Sequence, residues 1–151
     1  MDNHVPRTRS FRTAVFLAAT LAFALIPASH AGITGPLAKA VAKGHQIFLH
    51  DTFGGSGTTC NTCHTGAGLG PTILPGDPEK GPSLANAAAV FPRYKPREGK
   101  VMTLEDEIYG CARGAIGGTP PAYNSDAMRA LVSYLTSLSQ GKRVNMGGTY
   151  K

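Results

Sequence analysis

The sequence predicts a small all-α domain, and three observations carry that expectation. Apolar residues recur at helical spacing in three separate segments, no stretch alternates as a strand does, and the 19 Gly and 11 Pro cluster as loops around those segments. At 151 residues the chain has room for one ordinary domain. A hydrophobic share of 42% with 16% charged residues fits a compact fold and excludes a disordered chain. Trp is absent and aromatic residues make up only 7%, so the core must be built from small aliphatic side chains. Such a core is thin, and a large apolar group would help to fill it.

The first segment, 1–31, reads as a secretory signal peptide. Arg7, Arg9 and Arg12 precede an uncharged apolar run over 14–26, Pro27 breaks it, and Ser29 and Ala31 supply the small residues of a cleavage site before Gly32. The run is shorter than the ~20 residues needed to span a bilayer, although an uncleaved anchor is the competing reading. No adjacent Arg pair suggests a twin-arginine route. Removal of 1–31 takes three of 15 basic and one of 9 acidic residues, leaving a net charge of +4 on a product expected in the periplasm.

A first helix is expected over 36–50, with Pro36 in its first turn and Leu37, Val41, Ile47 and Phe48 as apolar candidates; Gly44 weakens it. Loops follow at 54–57 and 66–81, and 83–90 reads as a short Ala-rich helix. Thr103, with Asp106 three residues later, is a capping-box start for a third long segment. Leu104, Ile108, Cys111, Ala112 and Ala115 then form one apolar face, which turns Cys111 inward, and Gly117 to Pro121 stop the helix. A last helix is expected over 126–140, capped by Asn124 or Ser125, with Met128, Leu131, Val132, Leu135 and Leu138 as its stripe. The domain is therefore set at 32–141, followed by a polar, flexible tail over 142–151.

Cys60-Asn61-Thr62-Cys63-His64 is a C-x-x-C-H, the attachment signature of a c-type haem. Two thiols three positions apart reach both vinyl groups of one porphyrin, and the adjacent imidazole becomes the proximal iron ligand. A thioredoxin-like pair would follow a strand rather than a Gly-rich loop, and a zinc site would need a second ligand pair. Only one such motif occurs, so the expected cofactor is one covalently bound haem c. The fold class becomes a small class-I-like cytochrome c domain, about three to five helices around that haem.

The sixth iron position decides what such a haem does. Candidates are Cys111, Met102, Met128, Met146, His45 and His50. Met128 sits on a core stripe, Met146 in the tail, and the two histidines on the first helix or its end. Cys111 is an odd thiol in an oxidising compartment, which iron coordination would both use and protect. Met102, just before a helix, is the methionine rival. Spacing alone leaves both open.

Several stretches sharpen the choice: CNTCHTGAG at 60–68, SLANAAAVFPRYKPREGKV at 83–101, LEDEIYGC at 104–111 and SDAMRALVSYL at 125–135. Together they resemble the haem domain of thiosulfate dehydrogenase and, by a related pattern, the A subunit of the Sox sulfur-oxidation cytochrome. The resemblance covers roughly 44–141. It implies that Cys111 is the distal ligand opposite His64. Two departures stand out: no second C-x-x-C-H is present, and 68–80 is longer and richer in Pro than the loop it resembles.

The expected function is electron transfer in sulfur-compound oxidation, with another cytochrome as the redox partner. Whether the chain is an enzyme stays open. The alternative is a thiosulfate dehydrogenase-like or Sox-type catalytic subunit, with Cys111 at the site of a sulfur anion held by Arg113 or by Arg93, Lys95, Arg97 and Lys100. That basic cluster also suits docking to an acidic partner. A gas-binding haem protein is a weaker third reading. No nucleic acid and, after removal of 1–31, no membrane association is expected.

Overall fold

The computed structural model describes Met1 and residues 32–77 and 79–150; the rest of the expected leader lies outside the described residues. Helix α1 (Gly35–His50) carries Pro36 in its first turn and buries Gly44 and Phe48, whereas Leu37 is exposed. Helix α5 (Asp126–Leu138) starts where the Ser125 hydroxyl accepts the Met128 N–H at 3.2 Å. It buries Met128, Ala130, Leu131, Tyr134 and Leu135. These two helices make the most extensive packing contact of the fold.

Gly44 lies at their closest approach. A Cβ there would fall on the backbone carbonyl of Ala130 and within 2.7 Å of the Tyr134 Cβ. The residue that weakens α1 by propensity is thus the one that lets α5 lie against it. Phe48, Met128 and Leu131 are almost fully buried in the resulting core, each worth roughly 1.5–3 kcal/mol of transfer free energy.

Between these helices the chain builds shorter pieces. A single turn, α2 (Cys60–Cys63), leads into a 3₁₀ turn at Gly66–Gly68. The Ala-rich segment is helical only as α3 (Ala87–Val90). Its first residues are drawn away, because Leu84 N–H donates to the Gly68 carbonyl at 2.8 Å and Ala85 N–H to Ser83 Oγ at 3.3 Å.

A two-stranded hairpin, not expected from the sequence, follows: β1 (Arg93–Lys95) pairs antiparallel with β2 (Lys100–Met102), Tyr94 opposite Val101. Strands of three residues are too short to reveal a period of two, and their charged ends hide the pattern further. The basic cluster therefore sits on a hairpin. Helix α4 (Leu104–Gly114) follows directly, and its capping box is formed as expected: Thr103 N–H donates to Asp106 Oδ2 at 2.8 Å and Asp106 N–H to Thr103 Oγ1 at 3.2 Å.

The tail is tied down rather than frayed. Asn145 N–H donates to the Ala89 carbonyl at 2.7 Å and Gly147 N–H to that of Val90 at 3.0 Å. Tyr150 then packs on a small second core of Val90, Phe91 and Met102, with the Arg93 guanidinium 5.4 Å from its ring centre. Among the described residues no helix is long and apolar enough to cross a membrane.

Two outcomes are expected. Gly44→Ala gains about 1 kcal/mol of helix propensity but overpacks the crossing by more, so thermal unfolding of the holoprotein should show a net loss of roughly 1–2 kcal/mol. Thr103 and the Tyr123 hydroxyl hold the Asp106 carboxyl below its ordinary value, so its stabilisation is full above the unfolded value of about 3.9 and lost as pH falls through the lower folded value. Asp106→Ala should cost about 1 kcal/mol near neutral pH, and the gap to wild type should close as unfolding is repeated below pH ~4.

Candidate haem site

The turn that carries the C-x-x-C-H is held by its own side chains. Thr59 N–H donates to Thr62 Oγ1 at 3.0 Å, and His64 N–H closes the turn on the Cys60 carbonyl at 2.9 Å. Asn61 Oδ1 accepts the Ala67 N–H at 2.9 Å, and the Tyr134 hydroxyl donates to the Ala67 carbonyl at 2.6 Å. Ala67 sits in the left-handed region at φ 56°. The two side-chain bonds pin it there, and so tie the loop after His64 to α5.

Above this turn lies a cavity of about 480 Å³, within the ~300–1,000 Å³ usual for small-molecule and cofactor sites. Its wall is mostly apolar, with Phe48, Leu84, Leu104, Ile108, Leu131 and Leu135 prominent. On the α4 side Gly110, Ala112 and Ala115 keep the wall low. Cys60, His64 and Cys111 all face this one space. Burial pushes the Cys60 thiol up to about 12, with Cys111 adding to the effect. Burial likewise raises the Cys111 thiol, helped by Cys63 and Glu107. Burial also lowers the pKa of His64, against an opposing pull from Glu107, so its imidazole is neutral near pH 7 and has a lone pair to give.

The other expected residues divide clearly. Met102 also lines the cavity, though it is 8% exposed and packs with Val90 and Phe91. Lys95 lines it too, its Nζ 2.7 Å from each carboxylate oxygen of Glu107. Arg113 is exposed near the end of α4 and is not part of the wall. Met128 is wholly buried in the main core, Met146 is exposed, His50 is exposed, and His45 packs on Tyr134 with ring centres 5.0 Å apart. Thr72, Glu107 and Tyr150 also line the cavity and were not singled out from the sequence. Glu107 was legible in principle, being one turn before Cys111 on the same face. Thr72 and Tyr150 lie in segments with no period to read.

The donor set fits a haem. Cys60 and His64, on the turn that also bears Cys63, line an apolar cavity, and the Cys111 thiol enters it from a different helix. Cys60 and Cys63 would make the thioethers, His64 would ligate one face of the iron, and Cys111 or Met102 would be available for the other.

Comparison with known proteins agrees with this geometry. Residues 43–144 match the family described as SoxA/TsdA, cytochrome c domain. The chain is 34% identical over 107 residues to a thiosulfate dehydrogenase of Psychrobacter arcticus, a match covering 67% of this chain and 30% of the relative. Among solved structures it is similar to the thiosulfate dehydrogenase TsdBA from Marichromatium purpuratum, with 25% identity and a TM-score of 0.59 over 80% of this chain and 26% of that one. It is similar also to SoxXA from P. pantotrophus, with 27% identity and a TM-score of 0.59 over 74% of this chain and 37% of that one. The chain thus spans well under half the length of these proteins. Its cofactor is a covalently bound haem c, as in the cytochrome c domains it matches. By the match over 43–144, the fold and the donor set together, the chain belongs to the SoxA/TsdA cytochrome c domain family.

Proposed function

We propose that this chain is an exported, periplasmic monohaem cytochrome that transfers electrons in sulfur-compound oxidation, with His64 as proximal and Cys111 as distal iron ligand. One observation carries the reading: Cys60, His64 and Cys111, from two separate helical elements, line a single apolar cavity. Cys60 and Cys63 anchor the haem, which when bound supplies one-electron redox chemistry. Residues 1–31 support export, and attachment of a c-type haem after translocation agrees with it. Cys111 supplies a sulfur donor on the α4 wall, and Met102 stands as its rival from the hairpin.

A catalytic role on a sulfur anion is the second reading. Its support is Lys95, the member of the expected basic cluster that lines the cavity wall. Lys95 is, however, already paired with the Glu107 carboxylate, so the wall presents little net positive charge to an anion. Joining two thiosulfates into tetrathionate releases two electrons, and a single haem takes up one. Both points favour the carrier. A partner cytochrome is then the electron acceptor, and the two-component names of the solved relatives, TsdBA and SoxXA, fit such a pairing.

Low-temperature EPR of the oxidised holoprotein beside Cys111→Ala tests the ligand. A narrow low-spin rhombic signal is expected in the wild type and should be lost in the variant. An unchanged spectrum overturns Cys111 and brings Met102 forward, with its near-infrared methionine-to-iron band as the check. Ferricyanide reduction driven by thiosulfate separates the two functions. None is expected from the chain alone; robust turnover that disappears in Cys111→Ala would establish the catalytic reading instead.

A further inference from the structure

Within the loop at 68–80, Thr72 sets its hydroxyl against the imidazole of the haem motif. Thr72 Oγ1 lies 3.0 Å from His64 Nδ1 and 2.7 Å from the Pro82 carbonyl, to which it donates. A hydroxyl has one proton and two lone pairs. With the proton given to Pro82, the oxygen can only accept from His64, so Nδ1 must carry the hydrogen. The lone pair of the ring is then on Nε2, the nitrogen free to meet a metal.

The backbone is arranged to hold that hydroxyl in place. Thr72 N–H donates to the Gly81 carbonyl at 3.0 Å and Gly81 N–H returns to the Thr72 carbonyl at 2.8 Å. Ile73 N–H donates to the Cys63 carbonyl at 2.8 Å, and the Thr65 hydroxyl to the Pro71 carbonyl at 2.8 Å. The loop is thus bonded on both sides of Thr72 to the haem motif or to the strand-like return at Gly81. A Cβ at Gly81 would stand 3.3 Å from the Thr72 Cβ, so the small residue there also serves the close approach.

We propose that Thr72 is a positioning residue that fixes the tautomer and orientation of His64 and, through a relay from Nδ1–H to Oγ1 to the Pro82 carbonyl, makes its imidazole a stronger donor to iron. The inference rests on the reading of His64 as iron ligand. Hydrogen bonds in series polarise one another, and a donor N–H held by an acceptor leaves the ring more electron-rich. A richer ring favours ferric over ferrous iron, so the relay holds the potential below that of the same haem without it.

The test uses haem-loaded protein. Thr72→Val keeps the shape and removes the hydroxyl, while Thr72→Ser restores it. Spectroelectrochemical titration should show an upward shift of the midpoint potential in Thr72→Val and a return toward wild type in Thr72→Ser. Packing alone predicts the reverse ranking, because Val is the closer match in shape. An unchanged potential in a Thr72→Val protein with a wild-type spectrum overturns the proposal. Proton NMR of the ferrous wild type gives a reading that needs no variant. The His64 Nδ1–H should exchange slowly with solvent and show a cross-relaxation peak to the Thr72 methyl, and a fast-exchanging proton without that peak overturns the relay. His64→Ala separates the two levels of inference. Loss of the low-spin spectrum there, together with an unmoved Thr72→Val, removes the relay alone, whereas a retained low-spin spectrum removes the histidine reading and the relay with it.

Discussion

The close crossing of α1 and α5 at Gly44 governs most of what lies above it. With no side chain between the helices, Tyr134 can reach past α1 and donate to the Ala67 carbonyl at 2.6 Å, and Phe48 can lie 5.4 Å from the Tyr134 ring. Phe48 in turn faces His64 at 6.5 Å between ring centres. The floor of the cavity and the turn that bears the imidazole are thus referenced to one helix–helix contact. Widening that contact would slacken the haem motif without touching any residue in it. Protein interiors transmit such changes because they are packed as densely as crystals.

The remaining wall comes from a different piece of chain. The hairpin and α4 share the capping box at Thr103, so the position of Cys111 depends on where β2 ends. Lys95 and Glu107 join the two elements across the wall with a two-pronged ion pair, about one-third exposed on each side. A pair so placed is weak as a source of stability. Its larger effect is electrostatic, since it cancels the one lysine of the wall near Cys111 and sets what charge an incoming molecule meets.

The long helices were legible because each buries a stripe with a period near 3.6, and their caps were marked by Thr103, Asp106 and Ser125. The haem motif was legible because three residues at fixed spacing within five positions, Cys60, Cys63 and His64, carry its chemistry. What escaped reading shares one physical cause, namely non-local bonding in short segments. The hairpin needs Tyr94 to find Val101, the tail needs Asn145 to find the Ala89 carbonyl, and Thr72 needs both His64 and Pro82. No window of neighbouring residues contains those pairs. Arg113 shows how far neighbours on a helix can diverge: two positions turn a side chain through roughly 200°, and it lies exposed and outside the wall that Cys111 lines.

The facing of Cys60 and Cys111 across one cavity, with Cys63 on the same turn as Cys60, bears on how the protein is made. On the export proposed above, the chain meets an oxidising compartment before its haem is attached, and a disulfide between any two of Cys60, Cys63 and Cys111 would consume sulfur that haem attachment needs. Attack on a disulfide requires thiolate. In the folded chain burial drives the Cys60 pKa to about 12 and raises that of Cys111, so both stay protonated and slow to oxidise. In the unfolded chain neither has that protection. On that proposed export, the order of folding and oxidation therefore bears on whether a molecule keeps its thiols free for the haem or must first have a disulfide reduced.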